Sequence, residues 1–263
     1  MTNFKPSITG GAIVEPKLWL IDMDDTLYSA SENMFHEMHV RMDAYIQNAL
    51  GVNAETANDL RKLYWKKYGV TFYGLWYHHQ IDPHDFLTMV HQIDISSIST
   101  NGKMREAIDA LPGKKVLFTN APICYAERII RHLGLQNSFN DLYRAEEMKV
   151  SGAWRPKPSL QMFRHVLAKH GVKPHQACLI DDNLNNLKIA KQAGLQTVLC
   201  KGWHQHGIKV VRPMDYVDAT IGHVRELSRV IKKNTKVDVD EQAKKEADIK
   251  IIQYQLLEYQ LLR

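Results

Sequence analysis

The chain of 263 residues predicts a doubly wound α/β domain with a parallel sheet and an all-helical insertion after the first strand. Three observations carry that prediction. The apolar run Leu18, Trp19, Leu20, Ile21 is strand-length and lacks the alternation of a half-exposed strand, so it belongs inside a sheet covered on both faces. From Lys103 onward, short apolar strands alternate with amphipathic helices, the order that builds a parallel sheet. Between Thr26 and Lys103 the periodicity is helical throughout.

The elements follow in order. After the first strand come three acids in four positions, Asp22, Asp24 and Asp25. Met34 to Leu50 places apolar or aromatic side chains at 34, 35, 38, 42, 45, 46, 49 and 50, one helical face closed by Gly51. Glu55 to Tyr68 forms a second helix, closed by Gly69; Phe72 to His78 and Pro83 to His91 are shorter, the last with Pro in its first turn. The alternating part predicts a helix over Met104 to Leu111, a strand over Lys115 to Thr119, a helix over Pro122 to Leu133 and a short strand at Leu142 and Tyr143. It continues with a helix over Ser159 to His170, a strand over Ala177 to Ile180 and a helix over Leu184 to Ala193. Strands at Thr197 to Leu199 and Asp218 to Ile221 and a helix over Val224 to Ile231 complete it. The implied organisation is an α/β core from residues 1–28 and 103–231, a helical insertion over 29–102 and an extension over 232–263. In that extension the apolar residues between Ile251 and Leu262 suit a helix packed on the core or on a second subunit, or else a frayed tail.

Composition narrows the function. With Lys plus Arg at 34 and Asp plus Glu at 29, the excess of +5 is mild and not gathered with aromatics into a strip, so nucleic acid is not an indicated partner. No stretch approaches the roughly 20 apolar residues of a membrane span, and the N-terminus lacks a secretory pattern. A cytoplasmic location is expected, and Cys124, Cys178 and Cys200 are expected as buried free thiols. His78 with His79 and His204 with His206 have no carboxylate or cysteine partner at fixed spacing, so zinc is not expected. Tyr73, Trp76 and Tyr77 could stack on a base, although aromatics at helical spacing more often pack a core.

Four stretches lie at strand ends of the same sheet: Asp22 with Asp24, Thr119 with Asn120, Lys157 within Arg155 to Ser159, and Asp181 with Asp182. Parallel strands end on one side, so these side chains should converge. Clustered carboxylates at a buried strand end require a cation, and an all-oxygen set suits Mg²⁺. Alone, the first stretch also reads as a strand followed by an acidic turn, and Asp181, Asp182 and Asn183 as a helix cap. Lys157 is held between two prolines, which limits its backbone freedom.

With these residues in place the chain resembles the haloacid dehalogenase-like superfamily of phosphatases, over roughly Leu18 to Ile221. Asp22 to Thr26 matches the first motif, Val116 to Thr119 the second, Lys157 the third and Leu179 to Asp182 the fourth. Lys67, Tyr68, Gly69, Val70 and Thr71, with Gly74 and Leu75, Phe118 to Ala121 and Lys157 to Ser159, look like the pyrimidine 5′-nucleotidase branch. The resemblance implies a Mg²⁺-dependent phosphatase with the helical insertion as its cap and a small phosphorylated metabolite, a nucleoside monophosphate, as substrate. It implies Asp22 as nucleophile, Asp24 as general acid and base, Thr119 as phosphoryl ligand aided by the helix start at Pro122, and Lys157 as the neutralising cation. Asp22, Asp24 through its carbonyl, Asp182 and Asp181 would surround the metal, and Asn120, Tyr68 and Thr71 would touch substrate. Because Asp24 is present, it implies phosphatase rather than dehalogenase chemistry. Phosphosugar phosphatase, phosphomutase and a non-catalytic binding protein of the same fold stay open.

Overall fold

The computed structural model describes residues 11–30, 32–100, 102–202 and 214–232. The expected helix over Ile251 to Leu262 and the pair His204 and His206 lie outside them. In chain order the elements are β1 (Ile13–Val14), β2 (Leu18–Ile21), then helices α1 (Glu32–Leu50), α2 (Ala54–Tyr68), α3 (Thr71–His79), α4 (Pro83–Val90) and α5 (Gly102–Asp109). Next come β3 (Lys114–Phe118), α6 (Ile123–His132), β4 (Asp141–Tyr143), β5 (Lys149–Val150) and β6 (Ala153–Trp154). The chain continues with α7 (Leu160–His170), β7 (Ala177–Asp181), α8 (Leu184–Gln192), β8 (Gln196–Cys200), β9 (Ala219–Ile221) and β10 (Ile231–Lys232).

Six strands form a wholly parallel sheet in the order β4, β3, β2, β7, β8, β9. β2 lies in the middle, with Ile21 beside Leu117 of β3 and Ile180 of β7. From β2 the chain works outward to β4, returns to β7 on the other side and works outward again to β9. That reversal leaves a crevice beyond the strand ends. The alternation within β2 explains its unbroken apolarity: Trp19 and Ile21 enter one core with Met104, Ile108, Tyr125 and Ile129, whereas Leu18 and Leu20 enter the other with Met162, Phe163, Val166 and Leu187.

The insertion between β2 and β3 has helices and no named strand among its described residues, with a turn-rich stretch over 91–100 between α4 and α5. Its starts are capped as the residue types dictate: Asn53 accepts from the Thr56 amide at 2.9 Å, and Asp82 accepts from His84 N–H at 2.9 Å with Pro83 in the first turn. A third apolar cluster holds it together, with Ile46, Tyr64, Phe72, Leu75 and Phe86 at its centre. It is not self-contained. Trp154 belongs to it, with its ring 5.7 Å from that of Phe72, while Met34 and Met38 of α1 belong to the core beneath.

Two expectations are corrected, and one element was not foreseen. Val224 to Ile231 is not one α-helix: Val224–Arg229 is 3₁₀, and Ile231 and Lys232 pair in parallel with β1, whose Ile13 N–H donates to Val230 C=O at 2.9 Å. Val230 closes the 3₁₀ turn, and the β-branched Ile231 favours extension once an edge partner is available. The antiparallel β5 and β6 pair is a hairpin the apolar pattern was too short to reveal. Cys124 is exposed at the start of α6, unlike the buried Cys178 and Cys200.

Gly74 measures how tightly the insertion is packed, because a Cβ there would stand 2.1 Å from Cγ of Tyr64. Tyr64 is itself buried and hydrogen-bonded through its hydroxyl to His79 Nε2 at 2.7 Å. Gly74→Ala should therefore destabilise the protein by about 1–3 kcal/mol, the cost of overpacking. Urea unfolding checks this, and a variant as stable as the parent would contradict the packing described.

Candidate active site

Asp22, Thr119, Asn120, Asp181 and Asp182 sit at the carboxyl edge of the sheet because β2, β3 and β7 end there, whereas Lys157, expected at a strand end of the same sheet, lies in the loop between β6 and α7, and Tyr68 and Thr71 belong to helices of the insertion. Asp22 follows β2, and the chain then turns sharply: Leu27 N–H donates to Met23 C=O at 2.9 Å while Asp25 takes φ 54°, a left-handed conformation that Asp tolerates better than most residues. The Asp25 carboxylate accepts from the Ala30 amide at 2.9 Å and pins the turn. Asp181 is the last residue of β7, the neighbour of β2, so parallel pairing alone brings it beside Asp22. Asp182 follows at the start of the loop into α8.

Asp22, Asp181 and Asp182 each offer an oxygen within 4.8 Å of the others. Asp22 and Asp181 are only 6% and 0% exposed. Two buried carboxylates at this distance would repel strongly without a cation, and one is built in: Lys157 Nζ lies 2.5 Å from Asp22 Oδ1 and 2.9 Å from Asp181 Oδ2. The ammonium, 3% exposed, also stands 5.6 Å over the Phe118 ring. One ammonium against three acids leaves an anionic excess, and all the spare donors are hard oxygens, so the residues fit a divalent ion of the Mg²⁺ kind.

The acidities follow from this geometry. Burial pushes the Asp22 carboxyl up to about 6, with the Lys157 ammonium opposing it and Asp182 reinforcing it. Burial likewise pushes Asp181 up to about 6 against the pull of Lys157. Asp24 is raised further, to about 7, by burial first and then by the Asp22 charge. Burial opposes the charge on Lys157, but Asp181 and Asp22 together outweigh it, and the ammonium is held more firmly than in water.

The Asp24 carboxylate stands apart from the three converging acids. It accepts a short hydrogen bond from the Tyr28 hydroxyl, which in turn lies 2.7 Å from the Tyr125 hydroxyl, and it borders a cavity of about 540 Å³. Asn120 and Ala121 share that floor, and α1, α2, α3 and α4 supply the walls. Thr71 lines the cavity as expected of a substrate contact, although its hydroxyl donates to the Arg61 carbonyl at 3.3 Å.

The remaining expected residues have contacts the sequence did not show. Asn120 uses both ends of its amide on the backbone of Lys157: Nδ2 donates to the Lys157 carbonyl and Oδ1 accepts from the Lys157 N–H, each at 2.9 Å. It holds the lysine in place while also lining the cavity. Thr119 is buried, and its hydroxyl oxygen accepts from Ala121 N–H at 3.0 Å, which leaves the O–H to donate. Tyr68 borders a separate space with Lys67, Tyr73 and Arg155, and its hydroxyl bonds His78 Nε2 at 2.7 Å. It is not among the residues lining the cavity over Asp24, and neither are Tyr73, Trp76 and Tyr77. At the helix start near Pro122 one donor is already taken, because the Ile123 amide donates to both Glu146 carboxylate oxygens at 2.9 and 3.1 Å.

Two residues were missed. Asn186 Nδ2 donates to both oxygens of Asp181 at 3.0 Å, and Tyr28 orients Asp24. Both lie close after a motif acid, Tyr28 four residues after Asp24 and Asn186 five after Asp181, so spacing from those acids was the available signal.

The model of the haloacid dehalogenase-like hydrolase family matches residues 16–194. The chain is 28% identical over 234 residues to a glyceraldehyde 3-phosphate phosphatase of Methanocaldococcus jannaschii, covering 83% of this chain and 98% of that protein. It is 27% identical over 197 residues to phosphate metabolism protein 8 of Saccharomyces cerevisiae, covering 70% of this chain and 61% of the yeast protein, less than two thirds of that relative's length. Among solved structures, CbbY from Rhodobacter sphaeroides in complex with phosphate superposes with a TM-score of 0.54 at 19% identity, covering 81% of this chain and 96% of that one. A HAD phosphatase from Thermococcus onnurineus gives 0.53 at 16% identity, covering 81% and 97%. Those likenesses are of fold. Since the family model spans well over half of the 263 residues, the chain belongs to the haloacid dehalogenase-like hydrolases.

Proposed function

We propose that the protein is a Mg²⁺-dependent phosphomonoester hydrolase working through an aspartyl-phosphate, with nucleoside 5′-monophosphates, pyrimidine ones foremost, as substrates. The observation that carries this reading is the convergence of Asp22, Asp181 and Asp182 on one point with Lys157 Nζ between two of them. The helical segment 29–102 acts as a cap over a catalytic core of residues 1–28 and 103–231.

Asp22, Asp181 and Asp182 would hold Mg²⁺, which when bound offsets the repulsion between the carboxylate nucleophile and the phosphate. An Asp22 oxygen attacks phosphorus and the ester P–O bond breaks, with Lys157 restraining the nucleophile and countering phosphoryl charge. Asp24 gives its proton to the departing alkoxide, then takes one from the water that cleaves the aspartyl-phosphate, which restores Asp22 and releases phosphate. An acid near 7 is suited to both transfers at neutral pH. Tyr28 keeps Asp24 aimed at the cavity.

A phosphatase of small phosphosugars is a second reading, favoured by the match along nearly the whole archaeal glyceraldehyde 3-phosphate phosphatase. The cavity of about 540 Å³, walled by Phe35, Met38, Met42, Trp65 and Phe86, favours the nucleotide, since a triose would leave apolar wall uncovered. A panel of phosphate esters separates the two.

Three outcomes test the mechanism. Asp22→Asn should cut turnover by at least about 10³-fold, the scale of losing a nucleophile, with unfolding behaviour close to that of the parent; retained hydrolysis would end the aspartyl-phosphate reading. Chelation should abolish turnover and Mg²⁺ should restore it. Mg²⁺ should also raise the melting temperature at pH 8, a shift that Asp182→Asn should largely remove, and an equal shift in both proteins would place the ion elsewhere. Finally, a carboxyl raised from 3.8 to about 7 by folding favours the fold while protonated, so its contribution is intact below about pH 4 and is lost as the pH rises through 7. In chelator, Asp24→Asn should therefore gain stability over the parent at pH 8 and little at pH 5. Urea midpoints measure this, and an equal gain at both pH values would contradict the raised acidity.

A further inference from the structure

We infer that Arg61 is a specificity-determining residue: its guanidinium binds a neutral acceptor oxygen at the end of the leaving group remote from the phosphate, as a pyrimidine carbonyl presents. The inference rests on the hydrolase reading and concerns the wall facing the catalytic floor. That wall is mostly apolar, with Phe35, Met38 and Met42 from α1 and Phe86 and Leu87 from α4. Arg61 interrupts it from the middle of α2, with its side chain only 12% exposed.

An arginine in such a wall carries a desolvation cost that an aliphatic residue would not. It is nevertheless held in one pose. Nε donates to Asp43 Oδ1 of α1 at 2.7 Å, and Nη2 donates to Asn58 Oδ1 at 2.6 Å. Nη1, with two N–H donors, makes no hydrogen bond among the described residues. A fixed, partly buried donor pair without a protein partner rejects ligands that cannot satisfy it, and this is how polar groups in apolar pockets discriminate.

The surrounding charges select the kind of acceptor. Asp43 already offsets the guanidinium, and His39, which also lines the cavity, is kept neutral by burial and by Arg61 itself. Lys62 is exposed and solvated. The local sum is close to zero, so a neutral carbonyl suits this corner better than a second phosphate, and the ring carrying that carbonyl suits the Phe and Met walls.

The test uses the full chain with Mg²⁺ and compares Arg61→Gln and Arg61→Lys with the parent on two esters. Uridine 5′-monophosphate carries the acceptor; benzyl phosphate has a ring without one. Both variants should raise KM for the nucleotide by about 10- to 100-fold, the range of one charge-assisted hydrogen bond, with a much smaller change in kcat. The preference for the nucleotide over benzyl phosphate should fall at least tenfold. Equal losses on both esters, or an unchanged nucleotide KM, would overturn the inference. Titration calorimetry with uridine alone separates the two claims. Uridine binding that weakens in Arg61→Gln would sustain the inference even if no ester were hydrolysed, an outcome that would sink only the hydrolase reading. Absence of uridine binding to the parent at millimolar concentration, or equal binding to both proteins, would overturn it.

Discussion

The Lys157 ammonium, lodged between Asp22 and Asp181, is the constraint on which the rest of the structure depends. Two carboxylates at the ends of adjacent buried strands are tolerable only if a cation is fixed between them. That requires β7 next to β2, which the reversal of strand order supplies, and it requires the lysine backbone to be held. Asn120 does the holding with both ends of its amide, and Asn186 satisfies the Asp181 oxygens from the far side. These groups come from the ends of β2, β3 and β7, the start of α8 and the loop before α7, so the site exists only when those elements are assembled.

The insertion contributes a different kind of order. Its helices are joined by apolar packing and aromatic rings, with the Arg61 and Asp43 ion pair linking α2 to α1. The floor beneath is polar and tightly hydrogen-bonded, while the walls are largely greasy. A ligand bridging the two must therefore have an anionic end and a less polar body, which is the physical content of placing such a lid over such a floor.

The strand ends were legible because burial on both faces leaves a plain mark: Leu18 to Ile21 is uninterruptedly apolar, and three acids follow at once. From that, the convergence of Asp22, Asp181 and Asp182 follows by topology. Lys157 was singled out as one of the converging stretches and by its two flanking prolines, but its role as the neutralising cation came from the resemblance, since nothing in its spacing ties it to an aspartate 135 residues earlier. Tyr68 was misplaced because a helix-end aromatic can face either side of its helix, and here it turns toward His78. At the helix start near Pro122 the sequence shows a vacant amide but not that Glu146, 23 residues on, folds back to occupy it. The two-residue strands β1 and β10 are too short to leave a periodic trace, and Trp154 reveals its partner only in three dimensions.

The sharing of side chains between insertion and core has a mechanical corollary. Met34 and Met38 root one end of the helical segment in the sheet's covering layer, the Phe72 contact with Trp154 roots it at another point, and Arg128 of α6 holds its far end by donating to the carbonyls of His91 and Ile93. Lifting the segment bodily would return something like 150–250 Å² of each aromatic ring to water. Ties at several separate places leave no single axis about which the segment could turn with every contact kept. Traffic into the cavity therefore carries the cost of giving up at least one of them.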